Sequence, residues 1–262
     1  MRQENPSMAV GPFKNWIDDF RLATALLTRL PMPHPQAALP DGLARAQRAF
    51  PLVGAAIGAI VGLADLSLLT IGVPAMTAAA LALGASALLT GALHEDGLAD
   101  TGDGFGGGRD RAAKLAIMRD SRLGVYGALV LLVGFSARLS ALASLPAAAL
   151  VPGLTCACAL GRAAIPVLAA SMPFARADGL GKSAGRPEPQ NALAAIAIAV
   201  ALAFLCLPAK EALLAAAVAA ASAAAIALLA WRQIGGVTGD VFGAAEQVAE
   251  TAVLIMLATR LP

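Results

Sequence analysis

Long apolar runs interrupted by three polar islands set the pattern of this chain. Runs of about 20 apolar residues suffice to cross a hydrocarbon core. They occur near 51–73, 74–93, 124–145, 148–170, 192–208, 211–231 and 245–261. The fifth is short and the last carries Glu246 and Glu250, so the pattern predicts six or seven transmembrane helices. The expected fold class is all-α, a polytopic integral membrane helical bundle. Ala and Gly dominate the runs, and small residues let membrane helices approach closely, so a compact bundle is expected. Ahead of the first run, Trp16, Ile17, Phe20, Ala23, Leu27 and Leu30 recur at roughly helical spacing, with Asp18, Asp19 and Arg21 between them. This predicts an N-terminal amphipathic helix, lying either in the membrane interface or against the protein itself. No apolar core of signal-peptide type stands in the first 50 residues.

Composition agrees with a membrane protein: 58% hydrophobic and 14% charged residues, with a mean hydropathy of +0.74. A net charge of +2 gives no reason to expect a nucleic-acid partner. Cys156, Cys158 and Cys206 all lie in apolar runs and read as small packing residues rather than a metal site or disulfide. Orientation follows the basic residues. Six Lys/Arg precede residue 51, five lie in 94–123, and Arg176, Lys182 and Arg186 lie in 173–191. The other side has tight turns at Val73–Pro74 and Leu145–Pro146, and Lys210. The N-terminus and the polar loops are therefore expected on the cytoplasmic face of the cytoplasmic (inner) membrane, in a multi-pass arrangement. Arg232 to Glu250 returns to the same face, so all three polar regions can build one site.

The chemistry concentrates in the islands. Six of the 17 acidic residues fall between Glu95 and Asp120. Asp96, Asp100 and Asp103 are spaced i, i+4, i+7, one face of a helix continuing from the run 74–93, with Glu95 just off that face. Carboxylates aligned this way suit Mg²⁺, which takes a few carboxylates, retained waters and phosphate oxygens. Gly106-Gly107-Gly108 could cradle an anion or act as a hinge. Arg109, Arg111 and Lys114 either bind phosphate or supply the orienting charge. Arg119, Asp120, Ser121 and Arg122 form a mixed polar turn just before a span. In the last island Thr238, Asp240 and Glu246 stand at the mouth of a span; Asp240 could add a metal ligand, orient a nucleophile, or cap the helix. Arg138 and Arg162 lie within spans and need a carboxylate or phosphate partner, Asp65 being one candidate. His94 is a candidate acid or base at a helix end. Arg176 and Lys182 sit in a glycine-rich basic loop able to fold over a bulky anion.

Four ordered motifs carry a family resemblance: Asp96-Gly-Leu-Ala-Asp-Thr-Gly-Asp-Gly, Met118-Arg-Asp-Ser-Arg-Leu-Gly-Val-Tyr-Gly, Met172-Pro-Phe-Ala-Arg with Gly179-Leu-Gly, and Gly235-Gly-Val-Thr-Gly-Asp-Val-Phe-Gly-Ala. Together they resemble cobalamin-5′-phosphate synthase, the adenosylcobinamide-GDP ribazoletransferases, over most of the chain. The family usually has Ala at Gly102, Lys at Arg119, Ile at Leu123 and Leu at Phe242; none of these departures removes a carboxylate. The resemblance implies a Mg²⁺-dependent transferase that joins adenosylcobinamide-GDP to α-ribazole or its 5′-phosphate and releases GMP. The expected organisation is then a cytoplasmic or interfacial segment 1–50 and a membrane-embedded catalytic domain 51–262, with loops 94–123, 173–191 and 232–245. Asp96, Asp100 and Asp103 would hold the metal, with Glu95 beside them. Asp240 or Asp120, or His94, would handle the proton. Arg119, Ser121, Arg122, Arg162, Arg176, Lys182, Thr238 and Glu246 would bind substrate. The partners are those two substrates and the lipid bilayer, with no nucleic acid; a homo-oligomer is left open. A CDP-alcohol phosphotransferase also uses clustered aspartates, but its motif is not matched. A secondary transporter would place charge near the midplane and often carry inverted repeats, whereas most charge here sits at one surface and no repeat is evident.

Overall fold

The computed structural model describes residues 12–33 and 42–261. The parts of the N-terminal segment at 1–11 and 34–41 lie outside those residues. Twelve α-helices are described: α1 (Pro12–Leu27), α2 (Gly42–Ala46), α3 (Phe50–Thr70), α4 (Ala75–Thr90), α5 (Leu93–Gly107), α6 (Arg111–Ile117), α7 (Val125–Ser144), α8 (Ala147–Ser171), α9 (Leu180–Ser183), α10 (Pro189–Cys206), α11 (Ala209–Ile234) and α12 (Gly239–Arg260). A single turn of 3₁₀ helix, Gln47–Ala49, joins α2 to α3.

Among the described residues six segments are long and apolar enough to span a membrane by themselves: Gly42–Thr70, which contains α3, then α7, α8, α10, α11 and α12. Helix α4, at 16 residues, rises only about 24 Å. It is nevertheless a seventh traverse, because Phe50 at the start of α3 and Leu93 just after α4 line the same cavity. The turns at the far end are set by proline: Pro74, Pro146 and Pro208 immediately precede α4, α8 and α11, where a missing N–H and a fixed φ suit a helix start.

Helix α8 is the central post, packed on α3, α10, α11 and α12. The α3–α8 contact is the tightest, and its cause is Gly54, Gly58 and Gly62 at i, i+4, i+8. A Cβ at any of the three would meet the α8 backbone, at Cys158, Leu154 and Val151 respectively. Without a hydrophobic drive between helices in lipid, this close approach supplies the packing energy. Gly58→Ala is therefore expected to destabilise the bundle by about 1–3 kcal/mol through overpacking. Gly84→Ala on α4, where nothing lies within 4 Å, should leave stability intact. Thermal unfolding in detergent compares the two.

Helix α1 packs its inner face against the protein: Ala23 and Leu27 are buried, and Asp19 binds Arg45 and Arg48 at 2.9 and 2.7 Å. Ile17 and Phe20 stay exposed on its outer face. The helix is thus packed on the protein by one face and keeps an apolar outer face of the kind an interfacial position uses.

Candidate active site

The expected continuous helix from 74–93 into the acidic island does not form. Gly91 ends α4 at φ 69° and Ala92 follows at φ 55°, both left-handed. Two such residues in succession turn the chain by 92°, and α5 then packs along α7, with Glu95 beside Arg138 and Asp103 at Gly124, while crossing α12. A left-handed alanine is strained, and its strain is offset by the packing of α5 on α12 and α7.

The crossing of α5 with α12 is made by glycine. A Cβ on Gly97 would lie 2.8 Å from the Asp240 carbonyl oxygen and 3.2 Å from the Gly243 Cα; one on Gly243 would lie 3.0 Å from the His94 carbonyl oxygen. Backbone therefore rides on backbone, which brings Asp96 and Asp100 beside Asp240. Asp96 is exposed and Asp100 half-buried. Partial burial, then the negative charges of Asp96, Asp240 and Asp103, push the Asp100 carboxyl up to about 7. Such mutual repulsion is what a bound cation would relieve.

The other islands close on this point. Phe174 and Val237 form an isolated parallel bridge, with Ala175 N–H donating to Val237 O at 2.8 Å and Val237 N–H to Pro173 O at 2.9 Å. Arg111 donates to the Ile234 and Ala175 carbonyls, both at 2.8 Å, so its guanidinium ties this loop to the end of α11. Arg176 then reaches Asp240 Oδ2 at 3.1 Å, and Thr238 Oγ1 donates to the same oxygen at 3.1 Å while capping α12 through Val241 N–H. The second terminal nitrogen of Arg176, Nη1, is buried without a hydrogen-bond partner among the described residues. Beneath lies a cavity of about 280 Å³, bounded by α1, α3, α5, α8, α9 and α12.

Several expected site residues lie elsewhere. Asp103 turns to α7: its Oδ2 accepts from Gly124 N–H at 2.7 Å and its Oδ1 from Gly127 N–H at 2.8 Å. Both oxygens thus satisfy the open start of that helix, a role the shared face with Asp96 and Asp100 does not reveal. Glu95 faces Arg138 at 3.4 Å. Arg162 is buried, 2.6 Å from Glu246 and 3.0 Å from Glu250, and His94 lies 3.2 Å from Glu246. Arg138, 3.6 Å from Glu250, completes a buried network joining α5, α7, α8 and α12. Arg162 and Glu246 hold each other and do not line the cavity, whereas His94 does. Asp65, weighed as an arginine partner, is buried in α3, and neither of its oxygens is hydrogen-bonded among the described residues.

Arg119 pairs with Asp178, both exposed. Asp120 is bound by Arg122, which holds its carboxyl down at about 2 and makes it a poor base. Ser121 is exposed beside them. Lys182 sits 4.9 Å over the Phe174 ring. The glycine run is closely packed: a Cβ on Gly106 would strike the Tyr126 ring and one on Gly108 would meet Lys114. Gln47, Phe50 and Leu27 line the cavity and were not foreseen, since they come from the segment read as N-terminal.

Known proteins resemble the chain over nearly its whole length. The chain is 42% identical over 247 residues to the adenosylcobinamide-GDP ribazoletransferase of Bradyrhizobium diazoefficiens, covering 94% of this chain and 95% of that one. It is 43% identical to the protein of the same name from a Sinorhizobium species (93% and 97% covered) and 42% identical to that of Rhizobium etli strain CIAT 652 (95% and 99%). No solved structure matches it. The cobalamin-5-phosphate synthase family matches residues 19–258, so it takes in every helix that builds the α5–α12 crossing and the cavity beneath it, and the chain belongs to that family.

Proposed function

We propose that this multi-pass membrane protein joins adenosylcobinamide-GDP to α-ribazole, or to its 5′-phosphate, and releases GMP. The observation that carries the reading is the convergence of Asp96, Asp100 and Asp240 with Arg176 at one end of a membrane bundle whose relatives bear that activity in their names. The site end is the cytoplasmic one, on the distribution of basic residues.

The donor set suits Mg²⁺. Among the described residues no three His, Cys, Asp or Glu side chains close into a ready metal site. Mg²⁺ does not require one, since it binds through one or two carboxylates together with waters and substrate phosphates. Asp96 and Asp100 would hold it, with Asp240 adjacent. When bound, the ion would neutralise charge building on the diphosphate.

The chain's own groups do the rest. A ribazole hydroxyl oxygen forms a bond to the phosphorus bearing cobinamide, the bond from that phosphorus to the bridging oxygen breaks, and GMP leaves with the bridging oxygen. The hydroxyl proton passes to Asp240. Both contacts to Asp240 fall on Oδ2, which leaves Oδ1 to take it. The unpartnered Nη1 of Arg176 binds a phosphate oxygen. The Gly97–Gly243 contact sets the spacing between the metal-holding and proton-accepting carboxylates.

Purified protein in detergent should release GMP from adenosylcobinamide-GDP only with α-ribazole or its phosphate and Mg²⁺ present. Release without an acceptor, or none at all from folded protein, would refute the reading. Gly243→Ala should displace α5 from α12 and cut GMP release by about 10²-fold, the scale set by a 1 Å misplacement. The same preparation should elute as wild type by size exclusion.

A further inference from the structure

We propose that the 280 Å³ cavity under the acidic cluster is the subsite for the base of the acceptor nucleoside. The inference rests on the ribazoletransferase reading and says which part of which substrate enters. The cavity walls are mostly apolar: Leu27 from α1, Phe50 from α3, Leu93 from α5, Ile165 from α8 and Phe242 from α12. Of its ionisable groups, Asp96, Asp240 and Arg176 come from the acidic end, where the reacting phosphates sit, and His94 from the buried network around Glu246. Small-molecule sites run upward from about 300 Å³, so this one holds a single flat group and little else.

Gln47 supplies the second observation. It is 2% exposed and lines the cavity. Its Nε2 donates to the Gly185 carbonyl at 3.0 Å and lies 3.4 Å from that of Ala184. That fixes the amide with Oε1 on the other side, and Oε1 has no hydrogen-bond partner among the described residues. Leaving a buried acceptor unpaired is unfavourable, so a ligand that donates one hydrogen bond here is favoured.

Four groups of the two substrates compete for this space. The corrin macrocycle is far too large. Guanine and the adenine of the adenosyl group are small enough, and each could donate one hydrogen bond to Gln47 Oε1, but each also carries three acceptors, which the apolar walls of Leu27, Phe50, Leu93, Ile165 and Phe242 leave unpaired. The base of α-ribazole is a benzimidazole with two methyl groups on its outer edge. That edge asks for no hydrogen bonds and suits Phe50, Ile165 and Phe242, while a ribose hydroxyl can donate to Gln47 Oε1. With the base seated here, the ribose lies toward Asp240, as hydroxyl attack requires.

The test is a pair of variants, Ile165→Phe and Gln47→Met, in full-length protein, with KM measured separately for each substrate by GMP release. Ile165→Phe should raise the KM for α-ribazole about tenfold or more, the scale of strain from an overfilled pocket, and leave that for adenosylcobinamide-GDP within about twofold. The α-riboside of unsubstituted benzimidazole should lose less than α-ribazole in this variant, because it lacks the two methyl groups. Gln47→Met removes the acceptor at similar volume and should raise the KM of both ribosides alike; it also serves if Ile165→Phe does not fold. A rise confined to the corrinoid KM, or no change in either KM, overturns the subsite while leaving the transferase reading standing. A wild-type protein that releases no GMP overturns both.

Discussion

Asp100→Asn should lower GMP release by about 10²–10³-fold, the loss typical of removing one preorganised charge-stabilising group, while the folded protein survives. Asparagine keeps the volume, and the half-buried Asp100 makes no hydrogen bond that holds the fold, unlike Asp103. A further signature separates a metal-holding carboxylate from a merely structural one. Asp100 ionises in the folded protein near 7 rather than at 3.8, because of burial and the charges of Asp96, Asp240 and Asp103. The folded state therefore holds this proton more tightly than the unfolded chain does. Its contribution to stability is full below about 4 and is lost as pH rises through about 7. Without Mg²⁺, wild-type unfolding temperature should fall across that window. Asp100→Asn should remove this part of the fall, and so should adding Mg²⁺ to the wild type. Unfolding monitored from pH 4 to 8, with EDTA and with Mg²⁺, makes the comparison. An identical slope in wild type and variant would remove Asp100 from the repelling cluster, and full activity in the variant would remove it from the metal site.

How far these features could be read from residues alone depends on how local their causes are. The spanning helices were legible because a hydropathy run is a property of consecutive residues: the run near 148–170 became Ala147–Ser171, and that near 211–231 became Ala209–Ile234. The last helix begins earlier than its run, at Gly239, because Thr238 caps it; Asp240 accordingly lies in its first turn. The bend at Gly91–Ala92 was not legible, since Leu-Leu-Thr-Gly-Ala-Leu continues an apolar pattern and alanine favours helix. The convergence of the three polar islands followed from counting traverses. The partition of carboxylates within them did not. Asp96, Asp100 and Asp103 share a helix face by spacing, but Asp103 is drawn off by Gly124 and Gly127, more than 20 positions away. The cavity walls were missed for the same reason, because Gln47 and Phe50 meet Ile165 and Phe242 only through the tertiary fold.

Arg162 is the residue whose expected and observed roles differ most, and its removal should be the most damaging to the fold. An arginine that bound substrate phosphate would tolerate replacement structurally and show it in KM. Here the guanidinium is 2% exposed and its Nη1 lies between Glu246 and Glu250, while also donating to the Cys158 carbonyl at 3.2 Å. The network holds two arginines against Glu95, Glu246 and Glu250. Arg162→Met would leave Glu246 with His94 at 3.2 Å and Glu250 with Arg138 at 3.6 Å. Breaking a buried pair from one side costs about 3–5 kcal/mol, a large part of the roughly 5–15 kcal/mol by which a domain is stable. The variant should accumulate poorly in membranes, and what is extracted should unfold at a much lower temperature. The triple variant Arg162→Met, Glu246→Gln, Glu250→Gln should recover much of that loss, because it removes the stranded charges together with their partner. Wild-type unfolding in Arg162→Met, with only a raised substrate KM, would return Arg162 to the substrate. Recovery in the triple variant would assign it instead to holding α8 against α12, the helix that carries Asp240 to its place beside α5.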